Sequence, residues 1–295
     1  MDSRKKFSTR LLFLCIFLFI GYLFYKNIIG SVFLKKKDRI NVVFYGPTTV
    51  FYSLGRDENI NYFFRPPSNL EIEVPGGYGY YRVGALGKLF SLERKKDILK
   101  KSFSSLSSSF VDLYFYPTTN TIYYDEITPQ KFLPSSSFIF TNSSNANLLD
   151  RFLLWTVFLQ KSSNQYKEIT DFPQKKRHNR ALFDREAFFK EFQGYFYKKT
   201  YRNISDHVQI LYTKSYKTAL LISDILEGEG IQVVDLSQTE TPQNGCKIIY
   251  SSQRINDPTP KDMNSFFGCT IEKGETTISD IILILGSLEK EWSVD

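Results

Sequence analysis

From Leu11 to Tyr25 the chain runs LLFLCIFLFIGYLFY without a charge, and this run limits what the rest can be. A helix that crosses the hydrocarbon core of a bilayer needs about 20 mostly apolar residues. After Lys26 and Asn27 the apolar character resumes as IIGSVFL to Leu34. Lys26 can snorkel to the interface on its aliphatic stem, and Tyr22 and Tyr25 suit the interfacial aromatic belt. Residues 11–34 are therefore expected to form a single-pass anchor. The competing reading is a removed signal peptide, which needs small residues just after the apolar core; here Tyr, Lys and Asn follow. The tail before the run is short and basic, so the N-terminus is expected in the cytoplasm. The body from residue 40 onward is then extracytoplasmic, and the protein localises to the cell membrane.

The formal charge of +7 at first suggests a nucleic-acid binder, but its distribution excludes one. Residues 1–39 hold nine basic and two acidic side chains, which leaves 29 of each sign in the body. The excess flanks the apolar run, where anionic head groups attract it. A neutral body has no counterions to release from DNA or RNA, so no nucleic-acid partner is expected.

In the body, Ile40–Tyr45 (INVVFY), Val50–Leu54, Leu70–Val74 and Val111–Tyr116 read as strands. Val83–Phe90, Asp97–Phe103 and Asn147–Leu159 read as helices, and Ser-rich residues 102–109 as a link. Strands alternating with helices favour a layered α/β domain, placed at 40–172. Residues 173–180 (PQKKRHNR) read as a polar break and solvated linker rather than a nuclear signal, and Ala181–Lys199 as an amphipathic, Phe-rich helix. This connecting region is placed at 173–204. From 205 to 295 the pattern is β-α-β-β-α-β-β. Its first helix stops at Gly228 and Gly230, and its second opens on Asp257-Pro258. The fold class is α/β to α+β: a transmembrane helix within 1–39, a layered α/β domain and a small C-terminal α+β domain.

No residue pattern carries catalysis by itself. Gly76-Gly77-Tyr78-Gly79 could offer backbone N–H groups to a phosphate with Arg82 and Lys88 beside them, or could be a plain turn into a helix. Gly55-Arg56-Asp57 could hold a pyrophosphate and a metal, or could be a charged surface turn. The two histidines, His178 and His207, lie at no ligand spacing from a cysteine, so no metal site is expected. No cofactor is implied. Cys15 belongs to the apolar run; Cys246 and Cys269 are either a disulfide or two buried thiols, depending on the compartment.

The C-terminal pattern, closing on Ser279-Asp280-Ile281-Ile282-Leu283-Ile284-Leu285-Gly286, resembles the C-terminal domain of LytR-type cell-envelope proteins. INVVFYG, EIEVPGGYGYYRVGAL and FVDLYFY resemble stretches of the LytR–CpsA–Psr domain that often precedes it. The resemblance implies an extracytoplasmic position and a cell-wall glycan or lipid-linked glycopolymer as partner. It also implies an oxidising exterior, and hence a Cys246–Cys269 disulfide. The family's chemistry uses arginines on a pyrophosphate and acids for a divalent cation, in patterns such as Arg-x-Asp-Thr and Pro-Arg-Asp. Neither occurs here, and Arg65 is followed by Pro66-Pro67. The expectation is thus a non-catalytic envelope protein binding glycan, lipid carrier or a partner protein. The alternative is an active glycopolymer phosphotransferase with Arg56, Arg65 and Arg82 on the pyrophosphate. It requires those guanidiniums to meet in one pocket beside a carboxylate.

Overall fold

The apolar run lies in one long helix, α1 (Asp2–Gly30), and from Leu14 to Ile29 its large apolar side chains stand open. The computed structural model describes residues 2–35, 37–56, 60–95, 97–119, 121–124, 133–177, 180–240, 244–251 and 257–294, without the side chains of 2–13 and 163. No helix among the described residues is long and apolar enough to cross a membrane. Leu11, Leu12 and Phe13, which begin the run, lie outside the described side chains.

Past a short 3-10 turn come β1 (Arg39–Phe44), β2 (Val50–Gly55), β3 (Asn61–Phe64), β4 (Glu71–Val74) and β5 (Gly79–Arg82). Then follow α2 (Leu86–Glu93), α3 (Ile98–Ser107), β6 (Leu113–Tyr116), α4 (Ser136–Thr141), β7 (Ser143–Ser144), α5 (Leu148–Gln160) and β8 (Tyr166–Ile169). Six strands form the central sheet in the order β7-β6-β1-β2-β3-β8, with β6 parallel to β1 and β8 parallel to β3. Successive side chains of a strand face opposite ways, and here both faces are covered. Ile40, Val42, Phe44, Tyr52, Leu54 and Phe115 pack toward α5. Val43, Phe51, Phe64 and Tyr114 pack toward α2, α3 and a second sheet. That burial on two sides explains why β1 does not alternate: all six of its residues are buried, Arg39 and Asn41 among them.

The second sheet corrects the expected linker. Two antiparallel strands, β9 (Gln174–Arg177) and β10 (Arg180–Phe183), join the earlier hairpin in the order β5-β4-β10-β9. Edge strand β9 exposes all four of its residues, so it carries no apolar signal to read. The expected 181–199 helix is shorter, α6 (Arg185–Phe192), with Asp184 capping Ala187 N–H at 3.3 Å. The Ser-rich link is corrected too. Ser102–Ser107 are the second half of α3, and Ser102, Ser104, Ser107 and Ser109 are almost fully buried. Ser107 Oγ donates to Phe103 O at 2.8 Å, and Ser104 Oγ accepts Val111 N–H at 3.1 Å. Small side chains bonded to their own backbone let another helix approach closely.

That helix belongs to the C-terminal unit: α7 (Lys199–Ile204), β11 (His207–Tyr212), α8 (Tyr216–Glu229), β12 (Gln232–Gln238), β13 (Lys247–Tyr250), α9 (Pro258–Phe267), β14 (Thr270–Lys273), β15 (Ile281–Ile284) and α10 (Leu288–Glu291). Its five strands lie in the order β12-β11-β15-β13-β14. Ser215 caps α8 by accepting Thr218 N–H, and Gly230 ends it in the left-handed region at φ 99°. Cys246 and Cys269 are disulfide-bonded at the start of the parallel pair β13–β14, with Cα atoms 4.7 Å apart. The unit does not swing free. Phe110 stacks on Phe266 at 4.1 Å, Arg185 pairs with Asp224 at 2.7 Å, and α8 lies against the turn after α3.

Candidate functional site

The four cations singled out from the sequence do not converge. Arg56 follows β2 at the end of the sheet where β1 starts, and its guanidinium donates to Phe33 O at 2.5 Å. Arg65 follows β3 at the opposite end, because β2 and β3 are antiparallel, and there it pairs with Glu168 of β8. A six-residue strand separates the two, roughly 20 Å at 3.4 Å per residue. Arg82 is in the second sheet, 3.9 Å from Glu71, a carboxylate that Arg180 also engages. Lys88 is half-buried on α2. The pocket required for pyrophosphate chemistry by Arg56, Arg65 and Arg82 is therefore not assembled. Asp57, the acid next to Arg56, lies outside the described residues.

The glycine-rich turn is likewise committed. Gly76, Gly77 and Gly79 have φ of 106°, 77° and 74°, as a tight β4–β5 hairpin requires. The two N–H groups that could have faced an anion donate to Ser293 O, at 2.9 Å from Gly76 and 3.1 Å from Gly77. The last turn of the chain occupies the place offered to a phosphate.

Two cavities remain near these residues. One, of 390 Å³, sits at the carboxyl ends of β1 and β6, the place where open α/β sheets take ligands. Tyr45, Phe90, Arg94 and Tyr116 line it, with no carboxylate among its described lining residues. Tyr45 Oη donates to Gly84 O at 3.0 Å and accepts Gly87 N–H at 2.7 Å, and burial pushes its pKa up. It acts as a strut. The other, of 230 Å³, lies between the second sheet, α6 and α8, with Lys175, Arg177, Arg185 and Lys217 facing Glu73 and Glu186. Lys175 is 3.8 Å from Asp184, and Arg185 is held by Asp224. Among the described residues no cluster of His, Cys, Asp and Glu is placed to hold a metal ion.

The charges that do converge were not singled out from the sequence. Asp112, Lys37, Lys198 and Glu229 meet where the segment after α1, the central sheet and the C-terminal unit come together. Lys37 Nζ lies 2.6 Å from Asp112, and Lys198 Nζ lies 3.8 Å from Asp112 and 2.5 Å from Glu229. Glu229 also accepts Phe110 N–H at 2.5 Å and Asn41 Nδ2 at 3.4 Å. Glu229 is completely buried, and Lys198 and Asp112 nearly so. Burial alone would lower the Lys198 pKa, but the Asp112 and Glu229 carboxylates outweigh it and hold it above its ordinary value. Burial opposes ionisation of Asp112 as well, yet Lys198 and Lys37 keep its pKa lowered. For Glu229 burial prevails over the attraction of Lys198 and lifts the pKa to about 7. With solvent excluded and its members drawn from three parts of the chain, the cluster is a fastening rather than a reaction centre. One sequence signal was available: Asp112 interrupts an otherwise apolar strand pattern, and an acid there needs a partner.

No protein-family model matches the chain, and no curated protein matches it. Solved structures do resemble it. Bacillus subtilis TagT shares 12% identity over 54% of this chain and 91% of its own, with a TM-score of 0.37. B. subtilis TagV shares 10% over 55% and 98%, also at 0.37. A structure of YwtF (TagT), a LytR-CPS2A-psr family protein with bound octaprenyl pyrophosphate lipid, shares 11% over 54% and 91%, at 0.35. These neighbours are LytR–CPS2A–Psr proteins, and at such scores the likeness carries no argument about what this chain does.

Proposed function

We propose that this chain is a membrane-anchored protein of the bacterial cell envelope whose body lies outside the cytoplasm and works by binding rather than by group transfer. One observation carries the second half of this reading. Arg56, Arg65 and Arg82 lie in separate places, and each is already engaged by a protein oxygen. The large core beside the central sheet is filled as well: Phe51 and Phe64 stack at 4.5 Å, with Phe188 and Phe196 against Phe64. The first half rests on the sequence. The apolar run within residues 11–34, its basic flanks and the LytR-type C-terminal pattern support an anchor with the units 40–172 and 205–295 beyond it. Envelope glycan, its lipid carrier or a partner protein is the ligand class.

The test uses the full chain in vesicles with a polyprenyl-pyrophosphate-linked glycopolymer and peptidoglycan. Binding without appearance of a glycopolymer–peptidoglycan product is expected, and an R65A/R82A double substitution should leave it unchanged. Product formation that this double substitution abolishes would replace the binding role by a transferase. A reporter fused after Asp295 should work only outside the cytoplasm; activity of a cytoplasm-only reporter would overturn the topology.

A further inference from the structure

Helix α5 has its charges on the wrong side for a helix facing water. Of its thirteen residues, LLDRFLLWTVFLQ, only Asp150 and Arg151 are charged, and both are buried, 1% and 9% exposed. Arg151 donates to the carbonyls of Ala146, Ile139 and Asn142 and lies over the Phe115 ring at 5.3 Å. Asp150 accepts Ser31 Oγ at 2.6 Å and Phe33 N–H at 3.2 Å. The outer face carries Leu148, Phe152, Trp155 and Leu159, spaced four, three and four residues apart and so aligned in one stripe. Leu148, Phe152 and Leu159 are 72%, 51% and 65% exposed, and Trp155 is half-buried between them, one edge against the core. Phe140 of α4 widens the stripe, with its ring 6.2 Å from Trp155. Ordinary amphipathic helices turn such a face inward.

The beginning of α5 is bolted to the end of α1. Asn147 caps α5 through its Oδ1, which accepts Asp150 N–H at 2.8 Å, while its Nδ2 donates to Asn27 O at 2.9 Å. Asn27 follows Lys26 just past the uncharged run Leu11–Tyr25, and the expected anchor stops short of Leu34, because α1 ends at Gly30 and Ser31 and Phe33 are buried in the body. We propose that the Leu148–Phe152–Trp155–Leu159 stripe lies on the outer lipid surface of the membrane that the apolar run is proposed to cross, as a second, interfacial contact. This rests on the anchored reading above: if α1 spans the bilayer, the clamp at Asn27 and Asn147 fixes the first turn of α5 at head-group level. The composition fits that depth. A Trp and two Phe among leucines, with no charge facing outward, are the side chains the interface accepts. The contact holds the body in one orientation on the bilayer instead of leaving it to pivot on α1.

The test reads the full chain in phosphatidylglycerol–phosphatidylethanolamine vesicles by tryptophan fluorescence. The chain has two tryptophans, Trp155 and Trp292, and Trp292 is buried at 2% exposure. The W155F chain therefore supplies the background to subtract. The Trp155 signal is expected to shift to the blue, to be quenched by lipids bearing a doxyl group near the head-group end of the acyl chain, and to be shielded from aqueous iodide. An L148E/F152E chain, altered only at exposed positions, should stay in the vesicles, lose the doxyl quenching and become iodide-sensitive. Iodide sensitivity of Trp155 in the unaltered chain overturns the inference. Shielding from both quenchers also overturns it, because protein, whether this chain's own core or a partner, and not lipid then surrounds Trp155. An alkaline wash separates the two readings: a chain retained after washing but without lipid contact at Trp155 refutes the stripe alone. A chain washed off refutes the anchor, and the stripe with it.

Discussion

Gly228 has no room for a side chain. A Cβ there would lie 1.6 Å from Ser108 O, a backbone atom that cannot rotate away, and Ser108 itself holds φ 47° at the end of α3. Gly228→Ala should destabilise the protein by about 3 kcal/mol or more, the upper range for overpacking a core. Gly245→Ala, with nothing within 4 Å of its Cβ, should change chemical denaturation little. Equal effects of the two would show that α8 does not press on that turn. One residue further on, Glu229 makes a prediction about pH. Its folded pKa of about 7 exceeds its ordinary 4.5, so its contribution to stability is fully present below pH 4.5 and is lost as pH rises through 7. Asp112 works in the opposite sense: its lowered pKa gives stability that is lost as pH falls below its ordinary 3.8. Denaturation midpoints of wild type and Glu229→Gln, compared from pH 5 to 8, should therefore differ by an amount that turns against the wild type as pH rises. A flat difference would mean that Glu229 does not titrate in this window.

Among the elements, legibility followed burial only in part: short β3, buried at three of its four positions, gave no signal. β15 announced itself as an apolar run, β1 as a run broken by Asn41, and α8 was framed by Ser215 and Gly230. The edge strand without an apolar face gave no signal either. All four residues of β9 are exposed, and it exists because β10 offers it a partner. The second half of α3 hid behind serines, whose turn-forming tendency is overridden here by the close approach of α8. The candidate site failed to read for a different reason. The spacing of arginines along a chain does not say which ends of which antiparallel strands they occupy, and that alone separated Arg56 from Arg65. At this scale the disulfide gives a direct check. The pairing of Cys246 and Cys269 spans a sequence separation of 23, worth about 3 kcal/mol in the chain-entropy view. Thiol titration of the unfolded, unreduced chain should find one free thiol, that of Cys15; three would show that the bond does not form.

For the molecule as a whole, the ties between parts matter more than the parts. The segment after α1 contributes Lys37 to the buried charges, the central sheet contributes Asp112, and the later chain contributes Lys198 and Glu229. Phe110, Arg185 and Ser293 make further links between the earlier and later units. The division at 173–204 drawn from composition therefore marks a change of pattern, not a hinge. The second sheet shows what such wiring demands of synthesis. Its β4–β5 hairpin is finished by residue 82, but the strand that pairs with β4, through Glu71 and Leu182, comes a hundred residues later. At about 5–20 residues per second a ribosome needs roughly 5 to 20 s to deliver it. Throughout that interval Ile72 and Val74, fully buried in the finished protein, have nothing from β10 to lie against. Folding of the first unit therefore waits on the second half of the chain.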